Sequence, residues 1–186
     1  MVTKKEFKDA AQGINIFLDM DGVIADIDTH GHDTGMYKAD GKLDYDNLDY
    51  DWWLTIPVFK GAKNFYYDLK KHGQVRFLTA PIPTPDCYGG KAAWISNKFL
   101  PEKGRFALLD LIICRGTDKR FLAGNAKHIL IDDREKNIRE WEDAGGTGIL
   151  HQGDFKETLK KLQDVLENQK NANKPIQPRN GPRPAY

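Results

Sequence analysis

The sequence predicts an α/β fold in which helices cover both faces of a parallel sheet. Short apolar stretches, rich in β-branched and aromatic residues, alternate along the chain with helical patterns, and this alternation is typical of parallel sheets. The 186 residues are 40% hydrophobic, which is enough for one domain with a full core. We therefore expect a single domain over residues 1–167, followed by a proline-rich basic tail over residues 168–186.

Five strands and four helices are predicted from the local patterns. The apolar stretches that define the strands lie at residues 14–18, 74–78, 108–114, 128–131 and 147–150. The helical patterns lie at residues 62–70, from about residue 89 or 90 to residue 99, at 135–144 and, clearly amphipathic, at 155–166. Residues 80–85 contain three prolines, which lack the backbone donor, so we expect them to lie outside helix and sheet.

An insertion follows the first strand, over about residues 27–56. Up to residue 51 it is rich in Asp, Gly, Tyr and His and has no sustained period, so we expect an irregular segment with one short helix or hairpin. Trp52 and Trp53 come next. Adjacent side chains point in different directions, so we expect one ring to be partly exposed. That ring could stack on a nucleobase; alternatively, one ring completes the core and the other covers the lid.

Polar side chains follow four of the predicted strands. They are Asp19 and Asp21, then Thr79, then Arg115 and Lys119, then Asp132 and Asp133. Taken alone, an Asp-x-Asp pair such as the first one is in most cases a solvated turn at the end of a strand. In a parallel sheet, however, the carboxyl ends of the strands meet at one edge, so these side chains are predicted to converge. Carboxylates suit a hard cation such as Mg²⁺, and a lysine with a hydroxyl suits a phosphoryl group.

Composition narrows the function classes. No apolar run approaches the roughly 20 residues that cross a bilayer, so we expect no membrane partner. Cys87 and Cys114 are the two cysteines and form no Cys-x-x-Cys pair, which disfavours a disulfide scaffold or zinc cluster and indicates a reducing, cytoplasmic compartment. The charged start of the chain lacks the apolar core of a secretion signal. A net charge of +1 disfavours nucleic acid as a partner but leaves a local basic patch open.

Four motifs, in order, resemble those of the haloacid-dehalogenase-like (HAD) phosphohydrolase superfamily. They are Asp19-Met20-Asp21-Gly22-Val23, Leu78-Thr79-Ala80-Pro81, a lysine best matched by Lys119, and Ile129-Leu130-Ile131-Asp132-Asp133-Arg134. Within that superfamily the chain looks most like the 5′(3′)-deoxyribonucleotidase family. That likeness extends over roughly residues 14–151 and includes Asp26, residues 57–62 and the pair Lys91-x-x-Trp94.

The resemblance implies a Rossmannoid three-layer α/β/α domain with a small cap over about residues 27–56. It implies a Mg²⁺-dependent phosphomonoesterase that acts on (deoxy)nucleoside monophosphates. In that family pattern Asp19 is the nucleophile that forms an aspartyl-phosphate, and Asp21 donates and then accepts a proton. The implied Mg²⁺ ligands are Asp19, the backbone carbonyl of Asp21, and Asp132, with Asp133 assisting. The implied phosphate-binding positions are Thr79, Ala80 and Lys119, with Lys91 and Arg115 as further candidates.

The chain departs from the family pattern in two places, and alternatives remain open. The insertion is shorter than the usual helical cap, and Ala80 stands where the family usually has serine, which removes a hydroxyl. Lys91 fits a phosphate contact and a surface charge equally well. A phosphatase of nucleic-acid ends or of another small phosphate ester is the alternative function, and a non-catalytic HAD-like binding protein is a third. The expected partner is a small phosphate ester, and a homodimer is compatible with the sequence.

Overall fold

The computed structural model describes residues 13–172 and contains one parallel sheet. The strands are β1 (Asn15–Leu18), β2 (Gln74–Thr79), β3 (Leu111–Ile113), β4 (His128–Asp132) and β5 (Thr147–Leu150). They lie in the order β3-β2-β1-β4-β5, and every neighbouring pair is parallel. The α-helices are α1 (Ile27–Asp33), α2 (Tyr50–Thr55), α3 (Ala62–Leu69), α4 (Pro85–Ala93), α5 (Glu135–Asp143) and α6 (Phe155–Ala172). The architecture is a Rossmann-like α/β fold, as the sequence predicts.

Alternating side chains of the strands pack into two hydrophobic clusters. In β1, Ile16 and Leu18 belong to the larger cluster, together with residues of α2, α3, α4 and α6. Phe17, between them, points to the smaller cluster, which α5 covers through Ile138 and Trp141. Because successive side chains of a strand point to opposite faces, this division shows that both faces of the sheet are buried.

The strands confirm four of the five predictions closely, and β3 is shorter than predicted. A 3₁₀ segment, Gly104–Asp110, occupies the first part of the apolar stretch from residue 108, and Leu109 in it is 81% exposed. As an edge strand, β3 pairs with β2 alone, and that register covers residues 77–79 of β2. Only three residues of the stretch therefore gain a ladder partner, and the hydrophobic pattern alone does not reveal this limit.

Helix α4 begins earlier than predicted. Thr84 accepts the backbone N–H of Cys87 and caps the helix, and Pro85 takes the first helical position, where its missing N–H costs nothing. The prediction of a loop through residue 85 and a helix start near residue 89 is therefore wrong. Gly90 lies inside the helix because it faces Trp53 of α2, and a Cβ there would overlap the Cβ of Trp53. A π-helical segment, Trp94–Phe99, continues α4.

The predicted tail begins inside a helix. Helix α6 extends to Ala172, past the predicted end at residue 166, so residues 168–172 are helical and not extended. Gln, Lys and Ala in this part are good helix formers, and the absence of an apolar stripe does not end a helix. Residues 173–186 of the predicted tail lie outside the described residues. Over residues 13–172, none of the helices combines the length and apolar character that bilayer crossing requires.

The insertion is more regular than predicted. It contains α1 and α2, a 3₁₀ turn at Tyr45–Asn47 and an antiparallel bridge between Tyr37 and Leu43. Asp26 and Asp49 cap the two helices by accepting backbone N–H groups. Short helices with side-chain caps carry little periodic signal, which is why the pattern did not predict them.

Both tryptophans of α2 are buried, so the expectation that one ring is partly exposed is wrong. Trp52 is 6% exposed and Trp53 is 1% exposed. Helix α2 lies between two elements: His30 of α1 packs on Trp52 with ring centroids 4.8 Å apart, and Gly90 of α4 packs on Trp53. Each ring therefore has its own side of the helix to fill, and neither faces open solvent.

Candidate active site

The polar ends of the strands converge, as predicted, at the carboxyl edge of the sheet. Asp19, Asp21, Lys119 and Asp133 border a cleft of about 270 Å³, whereas Thr79 and Asp132 are fully buried and do not line it. The residues that line it are Asp19, Asp21, Gly22, Ile27, Asp28, Tyr45, Trp53, Ala80, Pro81, Ile82, Lys119, Asp133, Arg134 and Asn137. The segment before α3 supplies one wall through Ile27, Asp28, Tyr45 and Trp53, while the segments that follow β1, β2, β3 and β4 supply the rest.

Lys119 links two of the acidic strand ends. It lies on a 3₁₀ segment, Gly116–Leu122, and its side chain is 2% exposed. Its ammonium is 2.9 Å from Oδ1 of Asp19 and 2.7 Å from Oδ2 of Asp132. Burial by itself disfavours the ammonium, but the charges of the two carboxylates outweigh this effect and hold the pKa of Lys119 above its ordinary value. The lysine is therefore charged and fixed beside Asp19.

Asp132 is fully buried, and donors already occupy both of its oxygens. Oδ1 accepts the backbone N–H of Arg134 and Nδ2 of Asn137, each at 2.9 Å. Oδ2 accepts Lys119 at 2.7 Å and Nδ2 of Asn137 at 2.9 Å. Asn137 was not among the predicted site residues. The one feature of the sequence that could have indicated Asn137 is its position: it lies in the first turn of the helix that follows Asp132 and Asp133.

Asp133 lies directly over Gly22. The φ angle of Gly22 is +74°, and a Cβ at this position would overlap the Asp133 carboxylate. Glycine is therefore required both by the backbone conformation and by the close approach of the acid. Loss of water around the carboxylate, together with the charge of Asp132, raises the pKa of Asp133 to about 6.

Three carboxylates lie close together beside the cleft, and two of them, Asp19 and Asp133, line it. Oxygens of Asp19, Asp132 and Asp133 all lie within 4.8 Å of one another. Burial raises the pKa of Asp19 to about 7, and the charges of Asp132 and Asp21 act in the same direction, while Lys119 opposes them. A second positive charge at this point would relieve the repulsion and stabilise the ionised form of Asp19.

Lys91 lies beneath the cleft, and the alternative that it is a surface charge is wrong. Its side chain is fully buried. The ammonium donates to Oδ2 of Asp21 and, at 3.0 Å, to Oγ1 of Thr79. It also lies 5.0 Å from the ring centroid of Trp53. Oδ1 of Asp21 is buried and has no hydrogen-bond partner among the described residues.

Two of the predicted site residues lie elsewhere. The side chain of Arg115 is 78% exposed and pairs with Asp118 at 3.0 Å, so the structure does not bring it into the cleft. The neighbour three residues ahead satisfies the guanidinium locally, which the motif order could not reveal. Trp52 also lies away from the cleft, and its Nε1 donates to Oγ1 of Thr34 at 2.9 Å. Ala80 lines the cleft but offers no hydroxyl there.

Eight lining residues were not among the predicted site residues. Gly22 follows β1, Pro81 and Ile82 follow β2, and Arg134 and Asn137 come from the loop and helix after β4, while Ile27, Asp28 and Tyr45 come from the insertion. No protein-family model matches the chain, and a comparison with curated proteins finds no significant match. The assignment of a function therefore depends on the residues of the cleft and on their geometry.

Proposed function

We propose that this chain is a Mg²⁺-dependent phosphomonoesterase of the HAD type, with (deoxy)nucleoside monophosphates as its preferred substrates. The observation that carries the proposal is the arrangement around Asp19. Its carboxylate lies within 4.8 Å of oxygens of Asp132 and Asp133, and the ammonium of Lys119 lies 2.9 Å away. Such a centre offers a nucleophile, oxygen ligands for a hard cation and a fixed positive charge for a phosphoryl group. Residues 27–56 are then the small cap.

The donor set fits Mg²⁺, which takes oxygen ligands and uses few carboxylates. Donors already occupy both oxygens of Asp132, so its remaining capacity for a cation is small. The Asp133 carboxylate is the freer of the two. We therefore assign the direct ligands to Asp19, Asp133 and the backbone carbonyl of Asp21, and we give Asp132 the task of orienting Lys119. When bound, Mg²⁺ would neutralise charge on Asp19 and on the phosphoryl oxygens.

The proposed reaction is a two-step displacement through the side chains of the cleft. The Asp19 carboxylate attacks phosphorus and forms an acyl phosphate, while Asp21 donates its proton to the departing alcohol oxygen. Asp21 then removes a proton from a water molecule, whose oxygen attacks phosphorus and releases Asp19 and inorganic phosphate. Lys119 stabilises the equatorial oxygens in both steps. Lys91 holds the carboxylate of Asp21 and the hydroxyl of Thr79 in place.

The residues of the insertion that line the cleft favour a small leaving group that contains a flat, apolar ring. Ile27, Tyr45 and Trp53 bound this side of the cleft, and Ile82 adds an apolar contact from the loop after β2. A nucleoside matches this lining, because its base offers an apolar face and its sugar offers polar atoms. Trp53, and not Trp52, is then the ring that would contact the base.

The test is phosphate release from a panel of esters with Mg²⁺ and with EDTA. The panel contains 5′- and 3′-(deoxy)nucleotides, sugar phosphates and a 3′-phosphorylated oligonucleotide. We expect metal-dependent release that is greatest for deoxynucleotides, loss of release in Asp19→Asn, and a mass increase of one phosphoryl group on wild-type protein quenched during turnover. Release greatest for the oligonucleotide or a sugar phosphate would overturn the substrate. No release from any ester would overturn the reaction.

A further inference from the structure

Buried polar side-chain atoms in folded proteins almost always have a hydrogen-bond partner. Across residues 13–172, two buried side-chain nitrogen or oxygen atoms lack one, namely Oδ1 of Asp21 and Nε1 of Trp53. Both residues line the same cleft. The proposed proton transfer accounts for the Asp21 oxygen, but no step of that reaction uses the Trp53 nitrogen.

The other three tryptophans of the chain provide an internal comparison. Their Nε1 atoms donate to Thr34 Oγ1 (from Trp52, 2.9 Å), to the Ile56 carbonyl (from Trp94, 2.7 Å) and to the His128 carbonyl (from Trp141, 3.0 Å). The fold therefore supplies a partner to every indole N–H except that of the tryptophan on the cleft wall. A buried donor that lacks a partner destabilises the free protein, and a ligand oxygen would remove this cost.

We infer, on the basis of the proposed function, that Trp53 is a specificity-determining residue. Its Nε1 donates a hydrogen bond to a neutral oxygen of the leaving group. The preferred substrates are then phosphate monoesters whose alcohol carries such an oxygen, either a carbonyl of a nucleobase or the ring oxygen of a sugar. Esters of a simple phenol or alkanol lack this acceptor, so the Trp53 N–H stays without a partner when they bind. A site built to hydrogen-bond a polar group discriminates against ligands that lack that group.

The leaving group, and not the phosphate, is the partner that the surroundings of Trp53 favour. The groups proposed to contact the phosphoryl group come from the edge of the sheet and include Asp19 and Lys119. Trp53 belongs to the wall that the insertion supplies, which also carries Asp28. Tyr37 donates to Oδ1 of Asp28 at 2.9 Å and fixes this carboxylate. An anionic phosphate oxygen on this wall would be repelled by Asp28, whereas a neutral oxygen would not.

The indole is held in one place before any ligand binds. Its Cβ packs against Gly90 of α4, where no larger residue fits, and the ring is 1% exposed. The ammonium of Lys91 lies 5.0 Å from the ring centroid. Because the Trp53 side chain is already fixed, it loses little conformational freedom when a substrate binds. Its hydrogen bond therefore contributes most of its free energy to the preference for one substrate over another.

The first test compares Trp53→Phe with wild type on three esters. Deoxyuridine 5′-phosphate carries base carbonyls and sugar oxygens, deoxyribose 5-phosphate carries sugar oxygens but no base, and phenyl phosphate carries neither. We expect the ratio of kcat/KM for deoxyuridine 5′-phosphate over phenyl phosphate to fall by about 5- to 10-fold in the variant, the effect of one lost hydrogen bond. If the ratio for deoxyribose 5-phosphate over phenyl phosphate falls by a similar factor, the acceptor is a sugar oxygen. If that ratio does not fall, the acceptor is on the base.

The matched control is Trp52→Phe, which removes an indole N–H that already has a partner outside the cleft. We expect this variant to keep the wild-type ratio. An unchanged ratio in Trp53→Phe, or an equal fall in both variants, would overturn the inference while the proposed function stands.

A second measurement needs neither a foldable Trp53 variant nor turnover. In Asp19→Asn with Mg²⁺, the four indole ¹H–¹⁵N resonances are followed by NMR as each ester is added. We expect the Trp53 resonance to move downfield with deoxyuridine 5′-phosphate and to stay in place with phenyl phosphate. The Trp94 and Trp141 resonances should not move with either ester. If Trp53 responds equally to both esters or to neither, the inference fails, whereas absence of phosphate release from wild type rejects the proposed function only.

Discussion

The backbone of Gly22 and the carboxylate of Asp133 are packed so closely that a Cβ on Gly22 would occupy the position of the carboxylate. These two residues follow different strands, β1 and β4, which are neighbours in the sheet. The contact brings the acid after β4 against the turn after β1, where Asp19 and Asp21 lie. Because position 22 is a glycine, Asp133 can lie close to Asp19 and Asp21, and these proposed metal ligands meet although they are far apart in sequence.

Replacement of Gly22 by alanine should weaken the metal site. The Asp133 carboxylate would have to move, and the φ angle of +74° would be strained, so we expect apparent Mg²⁺ affinity to fall at least about tenfold. The measurement is a Mg²⁺ titration followed by thermal unfolding. Gly35→Ala is the matched control, since Gly35 has a φ of +68° but open space around it. If both variants weaken Mg²⁺ binding equally, the close contact with Asp133 is unimportant.

Asp19→Asn should stabilise the metal-free protein, and increasingly so as the pH rises. The pKa of Asp19 is raised from its ordinary value to about 7 in the folded protein. Between about pH 4 and pH 7 the unfolded chain therefore loses a proton that the folded protein keeps, and this carboxyl makes wild type less stable as the pH increases. Asparagine abolishes that contribution.

The check is the difference in Tm between Asp19→Asn and wild type, measured in EDTA at pH 5 and pH 7.5. We expect the difference to grow by about 2–4 °C or more, which corresponds to a change of about 1 kcal/mol in the free energy of unfolding for a chain of this size. Asp164→Asn, on the exposed side of α6, controls for the loss of a carboxyl away from the cleft. A constant difference would show that Asp19 is not destabilised by its surroundings.

Lys91→Met should reduce turnover most strongly for esters with poor leaving groups. Methionine keeps most of the apolar stem but removes the ammonium that contacts Asp21 and Thr79. Without that contact we expect Asp21 to be misoriented as a proton donor, with a loss of about 10²-fold for an alkyl ester. For p-nitrophenyl phosphate, whose leaving group needs no proton, the loss should be at least about tenfold smaller. Equal losses on both esters would assign Lys91 to phosphate binding instead.

Asn137→Ala should lower kcat with little change in KM. Nδ2 of Asn137 donates to both oxygens of Asp132, which in turn holds Lys119 beside Asp19. We expect a loss of about 10-fold in kcat, within the range for groups that orient a metal-site carboxylate. Steady-state kinetics with saturating Mg²⁺ provide the measurement. Asn97→Ala, at an exposed position outside the cleft lining, is the control, and a KM effect without a kcat effect would contradict the positioning role.

The local patterns of the chain are sufficient to predict much of this architecture. Hydrophobic stretches bounded by turn residues predict β1, β2, β4 and β5 to within a residue or so. The convergence of Asp19, Lys119 and Asp132 also follows, since parallel strands end at a common edge.

Other features depend on partners that are distant in sequence. The burial of both Trp52 and Trp53 requires α2 to lie between α1 and α4, and the short β3 reflects its place at the edge of the sheet. Arg115 does not belong to the site because it pairs with Asp118 instead. Asn137 does belong to it, because its amide donates to Asp132 from the first turn of α5.

The sequence thus determined which strands form and which acids and lysine meet at their ends, because strand period and strand direction are local properties. Only the tertiary structure decided that Lys91 is buried against Asp21, that donors occupy both oxygens of Asp132 and that Nε1 of Trp53 lacks a partner. The physical reason is that hydrogen bonding and desolvation depend on distances of a few ångströms between segments. Those distances are set by how the helices pack on the sheet.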